Sequence, residues 1–244
     1  MISLQQIHKS FGSQSIYEGI DLEIPDGERL FLVGGSGTGK SVLTKLILGL
    51  EAPDSGSIFI DGEDIQQFSR EAWQQVLEQF GVVFQGAALF DSLNVQENVG
   101  IKLYEARDLS EREIRDKVAG ALLKVDLGEE VLAKYPAELS GGMRKRVGIA
   151  RAIILEPRYL VYDEPTTGLD PASADLIDGL IGSLAQHPGR STLVVTHDMR
   201  SVRDLASRVA MVYDRQIYFD GAVEDFFAHR DPVIHNFLAR DLRK

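Results

Sequence analysis

A short glycine-rich run carries the strongest chemical signal in the chain: Gly34-Gly35-Ser36-Gly37-Thr38-Gly39-Lys40-Ser41. It matches the pattern Gly-x-x-x-x-Gly-Lys-Ser/Thr. Glycines let the backbone wrap close to a polyphosphate, with successive N–H groups pointing inward. A helix starting near Gly39 adds its dipole and its unbonded N–H groups. Lys40 sets positive charge against β- and γ-phosphates, and the Ser41 hydroxyl can ligate Mg²⁺.

Two more clusters extend this chemistry. Tyr159-Leu-Val-Tyr-Asp163-Glu164 is an apolar strand that delivers two carboxylates at its C-terminal end. Asp163 would orient Mg²⁺, usually through water. Glu164 would polarise the attacking water as general base. Leu139-Ser140-Gly141-Gly142-Met143 reads as a second anion-binding helix start, a serine with two glycines baring the backbone. One active site does not need two phosphate-facing helix starts from the same subunit. The pair therefore predicts two subunits sharing each nucleotide.

Alternating β and α patterns must position these groups. Ile2 to His8 and Ile20 to Ile24 alternate apolar and polar, and Pro25-Asp26-Gly27 signals a turn. Glu28 to Val33 reads as the strand feeding the glycine-rich loop. Val42, Leu43, Leu46, Ile47 and Leu50 mark the helix after it. Ser57 to Asp61 and Gly81 to Phe84 read as further strands. From 87 to 157 the pattern is helical, with a capping box at Ser110 and Glu113. Strands then return at 159–162 and 192–196, with helices at 171–186 and 199–206. Val209 to Tyr213 and Gln216 to Phe219 form an expected hairpin around Asp214-Arg215. Such βα alternation predicts a mostly parallel sheet covered by helices. The run Arg144-Lys145-Arg146 reads as a solvated helix face.

Composition narrows the class. Of 244 residues, 26 are Lys or Arg and 37 are Asp or Glu, a net charge of −11 that argues against a freestanding nucleic-acid binder. An apolar content of 44% is that of a folded protein rather than a disordered one. With no cysteine there is no disulfide framework, thiol nucleophile or thiolate metal site. His8, His187, His229 and His235 show no ligand spacing, so no zinc site is expected. No stretch approaches the roughly 18–20 apolar residues of a spanning helix. Met1 to His8 lacks the pattern of a signal peptide. A cytosolic protein is expected unless a partner holds it at a membrane.

Taken together, the motifs resemble those of ABC-transporter nucleotide-binding subunits over almost the whole chain. Leu139 to Met143 is similar to the family signature LSGGQ, and Gly168-Leu-Asp170 to its D-loop. Gln85 and His197 stand where the family has its Q-loop glutamine and switch histidine. The resemblance implies a P-loop NTPase α/β fold with a mostly parallel core sheet, an N-terminal antiparallel β subdomain and an inserted α-helical subdomain. It places the RecA-like core with the β subdomain at 1–85 and 157–220, the helical subdomain at 86–156 and a helical tail at 221–244. It implies ATP hydrolysis with Mg²⁺. Gln85 would touch Mg²⁺ and the attacking water. His197 would bond the γ-phosphate and hold Glu164. Ser140 and Gly142 would reach the γ-phosphate bound to a second copy, and Asp170 would couple the two sites. Phe11 resembles the adenine-stacking aromatic residue, with a place in the core as the other reading of its ring.

Within the family three features point one way: Met143 in the signature, the loop Gly86-Ala-Ala-Leu-Phe-Asp-Ser-Leu with Asn94 to Val99, and the tail Asp231 to Leu238. They resemble the ATPases of Mla/Mce-type phospholipid transport systems. That likeness implies an integral membrane permease, a lipid-binding Mce-domain protein and a station on the cytoplasmic face of the membrane. Thr166-Thr167-Gly168-Leu169 looks like the generic family form instead. Amino-acid or metal import and a division-type regulator remain alternatives within the family. A soluble ABC-type ATPase acting on DNA or ribosomes, a P-loop kinase and a GTPase fit less of the pattern.

Overall fold

The two N-terminal strands expected from alternation form, pair antiparallel and are both longer than that alternation suggests. The computed structural model describes residues 1–241; residues 242–244 of the expected tail lie outside the described residues. In chain order the elements begin with β1 (Ile2–Phe11), β2 (Gln14–Ile24), β3 (Arg29–Gly34), α1 (Lys40–Ile47), β4 (Ser55–Ile60), β5 (Glu63–Asp64) and α2 (Arg70–Leu77). Then come β6 (Phe80–Val83), α3 (Val95–Ala106), α4 (Glu111–Leu123), α5 (Gly141–Ile153), β7 (Tyr159–Asp163) and α6 (Pro171–Ala185). The described chain closes with β8 (Ser191–Val195), α7 (Met199–Leu205), β9 (Arg208–Tyr213), β10 (Gln216–Ala222), α8 (Val223–Ala228) and α9 (Pro232–Asp241). The chain divides into one unit made of Met1–Leu77 with the segment from Pro188 onward, and a second unit, Glu78–His187.

The first unit holds two sheets. One is antiparallel, in the order β2-β1-β4-β5, with Ile2 opposite Ile24, Leu4 opposite Leu22 and Ile7 opposite Ile20. Strict alternation would put Gln6, not Ile7, on the buried face. A register shift between Leu4 and Ile7, with Gln6 at φ 50°, restores Ile7 to the core and leaves Gln5 and Gln6 outside. In the other sheet this unit supplies β10-β9-β3-β8, with β3 parallel to β8 and β9. β3 and β8 are buried almost throughout, as short apolar strands covered on both faces should be. The β9–β10 hairpin forms where expected.

In the second unit β6 and β7 pair in parallel, Phe80 beside Tyr159 and Val83 beside Tyr162. The two aromatic rings stack at 4.8 Å between centroids. The capping box at Ser110 is present: Glu113 takes the Ser110 N–H at 2.8 Å and returns its own N–H to the serine hydroxyl. A second box, at Asn94 and Glu97, starts α3. Among the described residues no helix is long and apolar enough to cross a membrane.

Candidate functional site

β3 ends at Gly34 and the loop that follows it is built on glycine. At Gly34 (φ 150°) an added Cβ would sit 2.6 Å from the Val212 carbonyl oxygen; at Gly39 (φ 103°) it would sit 2.6 Å from the Ile16 side chain. No side chain caps α1, which starts at Lys40. The N–H groups of Val42 and Leu43 donate to the Gly39 carbonyl, at 2.7 and 3.0 Å. The Lys40 side chain folds back into the loop. It is only 8% exposed, and its ammonium donates to the Gly34 and Gly35 carbonyls, each at 2.9 Å. A phosphate oxygen would give that ammonium a charged acceptor in place of neutral ones. Beneath the loop, the buried Tyr17 hydroxyl donates to the Gly39 carbonyl at 2.8 Å, and burial holds the phenol above its usual range.

The same unit carries His197, exposed two residues past the end of β8 and ahead of Asp198, which caps α7 through the Arg200 and Ser201 N–H groups. Phe11 ends β1 with its ring 44% exposed and the Lys9 ammonium 4.9 Å from the ring centre. That exposure removes the core reading of Phe11.

The second unit carries the carboxylates. Asp163 is the last residue of β7. Glu164 turns into the left-handed region at φ 52°, a conformation that costs a non-glycine residue about 1–3 kcal/mol and persists only when neighbours impose it. Three contacts do so. The Thr167 hydroxyl donates to Glu164 Oε2 at 2.6 Å, the Thr167 N–H reaches the Glu164 carbonyl at 3.4 Å, and the Lys145 ammonium reaches that same carbonyl at 3.2 Å. Lys145 also donates to the Gln85 carbonyl. Burial pushes the Lys145 ammonium below the usual lysine range, and the charges of Glu164 and Asp163 partly oppose that.

These contacts correct the reading of Arg144-Lys145-Arg146 as a solvated face. Arg144 is exposed but bonds the Leu139 carbonyl at 2.6 Å; Arg146 bonds the Asp126 carbonyl at 2.6 Å; Lys145 is 5% exposed. Consecutive helix residues point 100° apart, so a run of like charges need not share one face.

Sequence reasoning also missed Arg151, whose guanidinium donates to the Ala87 and Ala88 carbonyls, each at 2.7 Å. Burial lowers its pKa. Both alanines are left-handed, φ 61° and 48°. Asn98, in α3, is fully buried and holds the Phe90, Leu93 and Asn94 carbonyls of the segment before it. Gln85 itself is exposed at the head of this loop.

Ser140 is exposed and caps α5, accepting the Met143 N–H at 3.2 Å. Asp170 caps α6, and its carboxyl is held below the usual range by the Ser173 hydroxyl and N–H. The two helix starts are neighbours: a Cβ on Gly142 would lie 3.0 Å from the Ser173 hydroxyl, and one on Gly141 3.5 Å from Leu169. Within this unit Gln85 and Glu164 are joined through Lys145, and Gly142 lies beside the cap that Asp170 makes. Gly34 to Ser41, Phe11 and His197 belong to the first unit.

A model of the ABC transporter family matches residues 17–167. The chain is 40% identical over 237 residues to "Probable ribonucleotide transport ATP-binding protein mkl" of Mycobacterium leprae, covering 97% of this chain and 68% of that one. It is 38% identical over 258 residues to "Protein TRIGALACTOSYLDIACYLGLYCEROL 3, chloroplastic" of Arabidopsis thaliana, covering 99% and 74%. Among solved structures, a dimeric ATP-binding cassette in a post-hydrolysis state bound to ADP and Pi superposes with a TM-score of 0.83 at 28% identity, over 91% of this chain and 99% of that one. The phosphate loop, the carboxylate strand and these likenesses agree: the chain belongs to the ABC transporter family as an ATP-binding subunit that hydrolyses ATP with Mg²⁺.

Proposed function

We propose that this subunit drives phospholipid movement through an Mla/Mce-type permease, working as two head-to-tail copies that close over two ATP molecules. The observation that carries the shared site is the exposed, serine-capped start of α5. It is a second anion-type helix end in a chain whose glycine loop already provides one.

In this reading Lys40 binds the β- and γ-phosphates and the loop from Gly34 to Gly39 wraps them with N–H groups. Phe11 stacks on adenine. Ser41 and Asp163 are oxygen donors of the hard type Mg²⁺ prefers, so the residues fit the ion, with Gln85 as a further oxygen ligand. When bound, Mg²⁺ neutralises phosphate charge. Glu164 accepts the proton of the attacking water, oriented by Gln85, and His197 donates to the γ-phosphate. Ser140 and Gly142 serve the nucleotide of the other copy, and Asp170 couples the two sites. Closing and reopening of the pair would switch the permease between conformations. The permease would hold this subunit at the cytoplasmic face of the membrane, and an Mce-domain lipid-binding protein would complete the assembly.

The lipid assignment is supported by Met143, the loop after Gln85 and a relative whose name is that of a galactolipid. Relatives named as methionine importers, one 36% identical over 246 residues from Pseudomonas putida, favour amino-acid import as the second reading. Purifying the chain with its permease from membranes and measuring ATP turnover in phospholipid nanodiscs separates them. Co-purified phospholipid, with turnover unmoved by methionine or ribonucleotides, is expected. Turnover stimulated by methionine would move the assignment to amino-acid import.

A further inference from the structure

We propose that Lys145 is a positioning residue for ATP hydrolysis, tying the backbone of Gln85 to the backbone of Glu164 so that loop and carboxylate keep one fixed relation. The inference rests on the assignment of Glu164 as general base.

The geometry is specific. The ammonium donates to two carbonyls from separate segments, Gln85 at the head of its loop and Glu164 just past β7. Both acceptors are backbone carbonyls, so the contact holds main chain, while the Glu164 and Asp163 charges also attract the ammonium. Holding Glu164 by its carbonyl also holds its left-handed φ, which aims the side chain that Thr167 then grips.

α5 supplies the rest of the cradle. Positions 145, 148 and 151 recur at three-residue intervals along one side of the helix. At the middle position the helix has glycine, and a Cβ there would lie 3.2 Å from the Ala87 Cβ. At the far position Arg151 grips Ala87 and Ala88 by their carbonyls. The same helix begins at Ser140. One rigid element thus bears the phosphate-type tip, the seat of the Gln85 loop and the tether of Glu164. Displacing the loop would pull on Lys145, and through it on the carboxylate strand end.

The test compares Lys145→Met, which keeps the length and removes the donor, with Lys145→Gln, which keeps a donor, in the full chain. Turnover is read by phosphate release, affinity with a fluorescent ATP analogue, and folding by thermal melting. Lys145→Met is expected to bind ATP within about twofold of the parent and to lose kcat about 10–100-fold, the range of a hydrogen bond from a charged donor. Lys145→Gln is expected to recover a large part of that loss. A kcat less than fivefold below the parent overturns the proposal. So does a loss of affinity in step with kcat, or a Lys145→Gln no faster than Lys145→Met, because each describes damage to the fold rather than to positioning. If Lys145→Met does not fold, Lys145→Gln is judged by the same fivefold limit and by unchanged affinity. Glu164→Gln run alongside separates the two claims. A fully active Glu164→Gln removes the base assignment, whereas an inactive one beside an active Lys145→Met removes only the tether.

Discussion

Lys40 and Lys145 are both buried, and both place an ammonium on main-chain carbonyls rather than in water. The carbonyls they bond differ in how far away they lie along the chain. The two acceptors of Lys40 lie five and six residues away, inside one loop. The acceptors of Lys145 lie 60 and 19 residues away, in two other segments. Lys40 therefore closes a local cradle, and in the proposed function a phosphate would take over its bonds. Lys145 joins distant segments. Burying an ammonium costs hydration, so each is held by hydrogen-bonding partners. The partners decide whether the work is binding or holding.

The largest expected effect breaks this comparison at the binding end. Lys40→Ala should lower ATP turnover by about a thousandfold or more, since it removes the only side-chain charge of the loop from the developing phosphate charge. Phosphate release at saturating ATP measures it. A variant with even a tenth of the parent rate would mean that Lys40 is a loop staple like Lys145, and the distinction would collapse.

The contrast also explains what could be read from the chain without coordinates. The glycine loop was legible because its chemistry is contiguous, and the helix starts at Ser110 and Ser140 because a capping side chain acts within three residues. The parallel strands were legible from their apolar runs. Lys145 and Arg151 were not, since their acceptors are backbone atoms, which have no sequence identity, at separations of 60 residues or more for the Gln85 loop. Hence a charged triplet read as a wet surface. The bulge at Gln6 was hidden for a different reason: a one-residue slip in register leaves the composition of the strand unchanged.

A smaller effect sharpens the holding end. Thr167 stands three residues from Glu164 and grips its carboxylate at 2.6 Å. Thr167→Val keeps the shape and removes the donor. A hydrogen bond to a charged group contributes about 1.5–3 kcal/mol, so kcat should fall about tenfold or more while ATP affinity stays within twofold. Single-turnover kinetics with a binding titration checks the split. If affinity falls as much as rate, Thr167 supports the fold around Asp163 and Glu164 rather than the aim of the base.

The smallest effect concerns the floor under Lys40. Tyr17→Phe removes the hydroxyl that donates to the Gly39 carbonyl. That oxygen also accepts the N–H groups of Val42 at 2.7 Å and Leu43 at 3.0 Å, so it is not left unsatisfied. The loss should therefore stay near the net value of one neutral hydrogen bond, about 1 kcal/mol, rather than the larger penalty of a buried orphan acceptor. For a chain of this length that is about a 2–4 °C drop in melting temperature. Turnover should stay within about twofold, because the glycine conformation at position 39, not the phenol, shapes the loop that receives phosphate. A rate collapse with the melting temperature intact would show instead that the cradle around Lys40, like the one around Glu164, depends on a donor reaching in from another segment of the chain.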